Sequence, residues 1–362
     1  MVPLLTKYEL LPIGVHLDND IVRMAQLRSD GSEAVLVAAD STPIPSPRSC
    51  EQAKRLDAAA RGIQGILKSK VFNGRQAVLA LPAEEALVHH IRVPKLKPEQ
   101  VSQILRIELE KRTPGANTDM VIRYTVAREI AGKGNTQQEM IVIAARREAI
   151  NRYLTMAEKA GLDVVGIDIE ACAVAECFEH LLRRNEDSTR AILFIHIGDR
   201  STQVVMTQWR ALAFARNLPM GGDSLDQAVS DGLGVSLEEA RSLRKELALG
   251  QGNASMITQM RRVLESKLEE TAVELTQCLK YYQSVFRDHH VGLAIFVGTQ
   301  AYDKTVCQVL AKHLNLPAKI GDPLLGIRYA DAASVGATLD RREPHPDWVV
   351  ALGLSLGAVW GR

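Results

Sequence analysis

Two short stretches of this chain share one design: Ile13-Gly14-Val15-His16-Leu17-Asp18-Asn19-Asp20 near the start, and Leu193-Phe194-Ile195-His196-Ile197-Gly198-Asp199-Arg200 near the middle. Each is an apolar run that breaks into a polar turn, and each is followed by a second strand pattern, Val22 to Leu27 or Gln203 to Thr207. A repeated strand-turn-strand unit marks duplicated domains. In a duplicated two-domain fold such turns face each other across a cleft, where backbone N–H groups cradle phosphate and aspartates hold the metal. Here the two aspartate positions carry His16 and His196.

Length agrees with duplication, since 362 residues exceed what a single core usually supports. A net charge of +1 and 4% aromatic residues leave neither a basic stripe nor a stacking surface, so nucleic acid is not expected as a partner. The N-terminus lacks the long apolar core of a secretory signal, and the apolar tail, residues 348–360, falls short of the roughly 20 residues that span a bilayer. A cytoplasmic chain with a packing helix at its end is expected. Cys50, Cys172, Cys177, Cys278 and Cys307 show no C-x-x-C spacing and read as reduced, buried thiols.

Proline-rich Ser41 to Pro47 reads as a connector, followed by a helix from about Glu51 to Ser69 and a buried parallel strand, Ala77 to Leu81. Residues 94–169 read as a helix-strand-strand-helix-strand insert: Val101, Ile104, Leu105 and Leu109 fall at helical spacing after Pro98, the loop Gly132 to Asn135 joins two strands, and Gly161 ends the second helix. The polar run 183–188 then separates the halves. In the second half, Asp223 reads as a helix N-cap after the pair Gly221-Gly222. Ile257, Met260, Leu264, Leu268, Leu275, Leu279 and Tyr282 line one face of a long helix. His89-His90 and His289-His290 read as solvated strand edges, and Lys95, Lys97, Arg106, Lys111 and Arg112 as a solvated helix face.

Three segments carry a resemblance. Gly14 to Arg23 parallels the pattern G-I-D-I-G-S-S-S-V-K, Ile195 to Thr202 parallels V-D-I-G-A-S-S-T, and Pro219-Met220-Gly221-Gly222-Asp223-Ser224-Leu225-Asp226 parallels P-I-G-G-D-x-L-T, the most specific of the three. Ala240 to Arg244 echoes A-x-x-x-L-K one position short, with arginine for lysine. On these segments and on the order of its parts, the chain resembles the type IV pilus assembly family PilM, in the actin-like superfamily that also holds FtsA. The resemblance implies an α/β, actin-like (ribonuclease H-like) duplicated two-domain fold with a PilM/FtsA-type insert. It implies a first domain over 1–93, the insert over 94–169, a helix and linker over 170–187, a second domain over 188–340, and a C-terminal helix, 341–362, returning to the first domain.

It also implies a nucleotide cleft at His16, Asp18, Asn19, Asp20, His196, Gly198, Asp199, Arg200, Gly221, Gly222, Asp223, Arg244 and Gly298. That cleft is degenerate. Both metal-side aspartates are histidines, the first loop has lost its glycine and serines, and the adenosine-side glycines have become Gly298-Thr299-Gln300. Imidazole replaces carboxylate poorly around magnesium, and a carboxylate about 5 Å from a phosphate costs roughly 3 kcal/mol at an effective dielectric near 20. The expectation is a pseudo-ATPase with no cofactor, with ATP and magnesium only if the cleft still works. His16 and His196 read as core histidines, with a transition-metal site involving Asp18, Asp20 or Asp199 as the alternative. The family implies a cytoplasmic scaffold, peripheral to the inner membrane, that binds the N-terminal peptide of a PilN-like membrane protein in a pilus or type II secretion platform. Ile104 and Leu105 are the expected peptide contacts. A living ATPase and an FtsA-like filament-former, or another homo-oligomer, are the alternatives.

Overall fold

The computed structural model describes residues 8–30, 33–45, 50–113, 119–130, 136–179, 190–208, 211–248, 251, 254–330, 339–340 and 342–357. The expected Gly-rich loop 132–135 and the polar separator 183–188 lie outside these residues.

The first lobe holds β1 (Glu9–Leu10), β2 (Ile13–Leu17), β3 (Ile21–Asp30), β4 (Glu33–Pro43), α1 (Gln52–Lys68) and β5 (Gln76–Leu81). Next come β6 (Ala86–Pro94), α2 (Pro98–Arg112), β7 (Met120–Ile130), β8 (Gln137–Arg146), α3 (Arg147–Ala160), β9 (Asp163–Ile169) and α4 (Glu170–Glu179). The second lobe holds β10 (Arg190–Ile197), β11 (Thr202–Gln208), β12 (Ala211–Leu218), α5 (Gly222–Leu233), α6 (Leu237–Ala248), α7 (Ala254–Val285), β13 (His290–Val297), α8 (Lys304–Leu314) and β14 (Ala318–Ile320), after which β15 (Arg328–Tyr329) and α9 (Val349–Gly357) return to the first lobe.

The duplication is plain in the sheets. The first lobe runs β4-β3-β2-β5-β9, with β15 beside β4 and β1 on β3, and the second runs β12-β11-β10-β13-β14. Each begins with an antiparallel meander and continues with parallel strands, so β2 matches β10 and β3 matches β11. The helices that follow the last strand of each unit change places. α4 leaves the first sheet and packs on β10 to β12, while α9 returns to cover β2, β3 and β5. They cross between the lobes at very close range: a Cβ on Gly353 would lie 1.9 Å from the carbonyl oxygen of Ala173, and one on Gly14 would lie 1.9 Å from that of Ala351.

Several sequence expectations shift. The insert is the three-stranded sheet β6-β8-β7 with α2 on one face, so it starts at Ala86 rather than 94. It ends at Arg146, because β9 pairs in parallel with β5 and α3 packs on α1 in the first lobe. Ser41 to Pro43 are not connector but the end of β4, paired to Ile21 through Arg23; proline is tolerated there as a strand terminus. Asp223 is not the cap of α5. Gly221 holds that position, with the Ser224 hydroxyl against its backbone, because the chain must pass tightly over the β10–β11 turn. The long amphipathic helix is α7, whose Met260, Leu264, Leu268, Leu275 and Tyr282 are buried against α5 and α8.

Candidate functional site

The two repeated turns meet at the bottom of a cleft between the lobes, over a cavity of about 360 Å³ lined by Asp18, Asn19, Arg55, Glu84, Glu170, His196, Gly198, Asp199 and Arg200, among others. The turns are built alike: Asp18 donates its N–H to the Ile21 carbonyl and Gly198 donates to that of Ser201, both at 3.0 Å. His16 and His196 sit at equivalent positions on β2 and β10. Both are buried, with ring centroids 6.4 Å apart. His16 Nε2 lies 3.1 Å from the Glu170 carboxylate at the start of α4. Burial pushes the His196 imidazole below its ordinary pKa, toward the neutral form.

The pseudo-symmetry extends one layer outward. The cross-strand partner of His16 is Arg23 and that of His196 is Gln203. Gln203 donates to Glu170, which opens α4, while Arg23 pairs with Asp347 at 2.7 Å just ahead of α9. Arg23 also reaches Asp18 at 3.2 Å. Burial would raise the Asp18 carboxyl, but Arg23, the two histidines and the Asn19 N–H outweigh it and hold that carboxyl below the usual range. Asp347 accepts the Tyr302 hydroxyl at 2.7 Å, so one guanidinium ties the first turn to both the second lobe and the C-terminal helix.

In the second lobe the expected nucleotide elements bond to each other. The first N–H groups of α5, a ready anion site when open, donate inward instead: Gly222 to the Gly198 carbonyl at 3.0 Å and Asp223 to the Asp199 carbonyl at 2.7 Å. A Cβ on Gly221 would meet the Asp199 carbonyl at 2.6 Å, so glycine is required by this contact alone. Gln300 donates to Asp199 at 2.8 Å and accepts from Arg244 at 2.7 Å. Arg244, buried, also donates to the Gly222 carbonyl at 3.0 Å and to Asp226 at 2.6 Å. Gly298 adopts φ 92° with Ile197 O 2.5 Å from where a Cβ would stand, a conformation that favours glycine. Across the cleft, Asn19 reaches Asp223 at 3.4 Å, and Arg55 bonds the Asn19 carbonyl and lies 3.7 Å from Asp20.

A type IV pilus assembly protein PilM family model matches residues 14–359. The chain belongs to the PilM family. A solved PilM-PilN type IV pilus biogenesis complex is similar over 96% of this chain and 98% of that one, at 21% identity and a TM-score of 0.78. The ethanolamine utilization protein EutJ from Carboxydothermus hydrogenoformans is similar over 98% of this chain and 91% of its own, at 17% identity and a TM-score of 0.52. Among curated proteins, Bacillus subtilis FtsA is 28% identical over 109 residues, which is 30% of this chain and only 24% of FtsA. The PilM fold is thus the actin-like duplicated α/β fold with its insert. No helix among the described residues is long and apolar enough to cross a membrane.

The residues present in this PilM-family chain do not fit a magnesium nucleotide. Imidazoles stand at the positions where the family pattern has carboxylates, the Asp18 and Asp199 carboxylates line the cavity, and Gln300 and Arg244 bond to each other. Nor do His16 and His196 form a metal centre: among the described residues no group of three His, Cys, Asp or Glu side chains is placed to hold one ion. Glu170, Gln203 and Asp347 were not picked out by motif, and Arg23 entered only as the last residue of the first one, although aligning the two repeats makes Arg23 and Gln203 equivalent.

The expected peptide contacts are displaced. Leu105 is fully buried in the insert's own core with Val101, Leu109, Ile91 and Met140, and Ile104 is half-buried against the same cluster. His90 is not a solvated edge: it stacks on Phe214 with centroids 4.6 Å apart and accepts the Ala215 N–H at 3.3 Å, and burial pushes its pKa down to about 4. His289 meets the Gln208 amide at 2.7 Å.

Proposed function

We propose that this chain is a non-hydrolysing scaffold of a type IV pilus or type II secretion inner-membrane platform, holding the cytoplasmic N-terminal peptide of a PilN-like membrane protein. The observation that carries the reading is the Asp199–Gln300–Arg244 chain of hydrogen bonds, which spends on itself the groups that a nucleotide would need. A ligand that used these groups would first have to break the bonds they already make to each other. Capture of a peptide needs only pockets and free backbone edges, and so outlasts the loss of phosphate chemistry. Partner capture is supported by family membership and by the similar fold found in a PilM-PilN complex.

Isothermal titration with Mg-ATP is expected to give no heat of binding at micromolar protein; saturable binding with turnover refutes the pseudo-ATPase half of the reading. A pulldown of the tagged chain from its native membranes is expected to recover a single-span protein with a short cytoplasmic tail. Recovery of no membrane protein refutes the scaffold half.

A further inference from the structure

His16 comes from β2 in the first lobe and His196 from β10 in the second, and the two imidazoles meet at the bottom of the cleft, 2% and 4% exposed. Their surroundings differ. His16 Nε2 lies 3.1 Å from one oxygen of Glu170, whose other oxygen accepts the Gln203 amide, so both oxygens are engaged away from His196. His196 Nδ1 is buried and meets no hydrogen-bond partner among the described residues. A buried imidazole in that position is tolerable only while it is neutral.

The charges that face His196 come from three elements. The β2–β3 hairpin of the first lobe brings His16, Asp18 and Arg23, the last two ion-paired at 3.2 Å, and α4 brings Glu170. Its own sheet adds none: Gln203 stands across on β11, Val297 alongside on β13, and Gly298 so near that its Cβ would lie 3.0 Å from the ring. Arg55, Glu84, Glu85, Asp199 and Arg200 line the rest of the cavity. Burial is the largest influence on the ring and opposes its protonation. Glu170 and Asp18 favour the proton, His16 and Arg23 oppose it, and burial prevails.

We infer that His196 is a proton-operated latch between the lobes: with a neutral imidazole the cleft is closed, and protonation parts β2 from β10. The sign follows from burial. Parting the lobes lets water reach the ring, where a histidine titrates near about 6.5, whereas in the closed cleft it takes up its proton only at lower pH. The open form therefore binds more protons below about pH 6.5, and closure weakens as pH falls. For one proton the open-to-closed ratio rises by up to about tenfold per pH unit, and it levels off once the closed form is protonated too. The latch is independent of what the cleft binds.

The test is small-angle scattering of the full chain from about pH 8 to about pH 5, with far-UV circular dichroism on the same samples. The radius of gyration is expected to hold above about pH 7 and to rise below about pH 6.5 while the circular dichroism stays constant. His196→Gln, which keeps a polar side chain but cannot titrate, removes the rise. Glu170→Gln keeps the side-chain shape and removes a charge that favours the proton on His196, so the closed form resists protonation further and the rise moves to less acid pH. His90→Gln, which removes the buried imidazole beside Phe214, leaves the rise in place. A constant radius overturns the inference, as does a rise that His196→Gln retains, that Glu170→Gln leaves in place or moves to more acid pH, or that His90→Gln abolishes. A rise that coincides with loss of the helical signal overturns it too, since the proton would then be unfolding the chain.

Discussion

At the scale of single residues, the site is decided by which buried polar groups satisfy each other. Arg244 is the clearest case. It is held by Asp226, Gln300 and the Gly222 carbonyl, all inside the lobe. Arg244→Ala leaves Asp226 buried with only the more exposed Arg241, and is expected to cost about 3 kcal/mol in urea unfolding without restoring ATP binding. His90 makes a pH prediction. Its folded pKa is about 4 whereas an unfolded histidine titrates near 6.5, so the unfolded chain takes up the proton first as pH falls. The contribution is neutral above about pH 6.5, grows as a loss of stability down to pH 4, and levels off below, for a total of roughly 3 kcal/mol. Denaturant midpoints measured across that range should fall more steeply for the native chain than for His90→Gln, which cannot titrate. Parallel slopes for the two would show that the imidazole does not titrate as its burial requires.

At the scale of elements, periodicity read the helices well and misplaced their neighbours. Val101, Leu105 and Leu109 do share the buried face of α2, but that face turns toward the sheet of the insert itself. Leu105→Ala is therefore a stability variant. It should cost about 2 to 5 kcal/mol by opening a cavity, with new proteolytic cleavage confined to residues 86–146, and it should leave partner capture by the folded fraction intact. The same limit explains why β9 was assigned to the insert: Val164 to Ile169 reads equally well as the last strand of a small sheet or as a partner for β5, and only the ladder decides. The α4–α9 crossing makes the opposite point. Its small residues look unremarkable in sequence, yet Gly353→Ala would drive a Cβ into the Ala173 carbonyl. An overpacking cost of up to about 3 kcal/mol is expected, read as a lowered melting temperature.

At the scale of the whole molecule, the exchanged helices and the Arg23 links join the two lobes. Arg23→Ala would leave Asp18 and Asp347 half-buried with their shared cation gone. The expected result is a loss of about 3 kcal/mol together with a larger radius of gyration in small-angle scattering, as the lobes part at the β2–β3 turn. An unchanged radius would mean that the α4–α9 contact alone sets the closure. The chain's sequence, by itself, determined the duplication, the strand-turn units, the amphipathic faces of α2 and α7, and the absence of the metal-side aspartates, because each is written in local spacing or in a residue's chemistry. The tertiary structure alone decided that Glu170 and Asp347 close the two pseudo-equivalent layers, that Gln300 bridges Asp199 to Arg244, and that the insert's edge strand faces that of the second lobe. Those contacts join residues tens to hundreds of positions apart, and no local pattern encodes which buried polar group will find which partner.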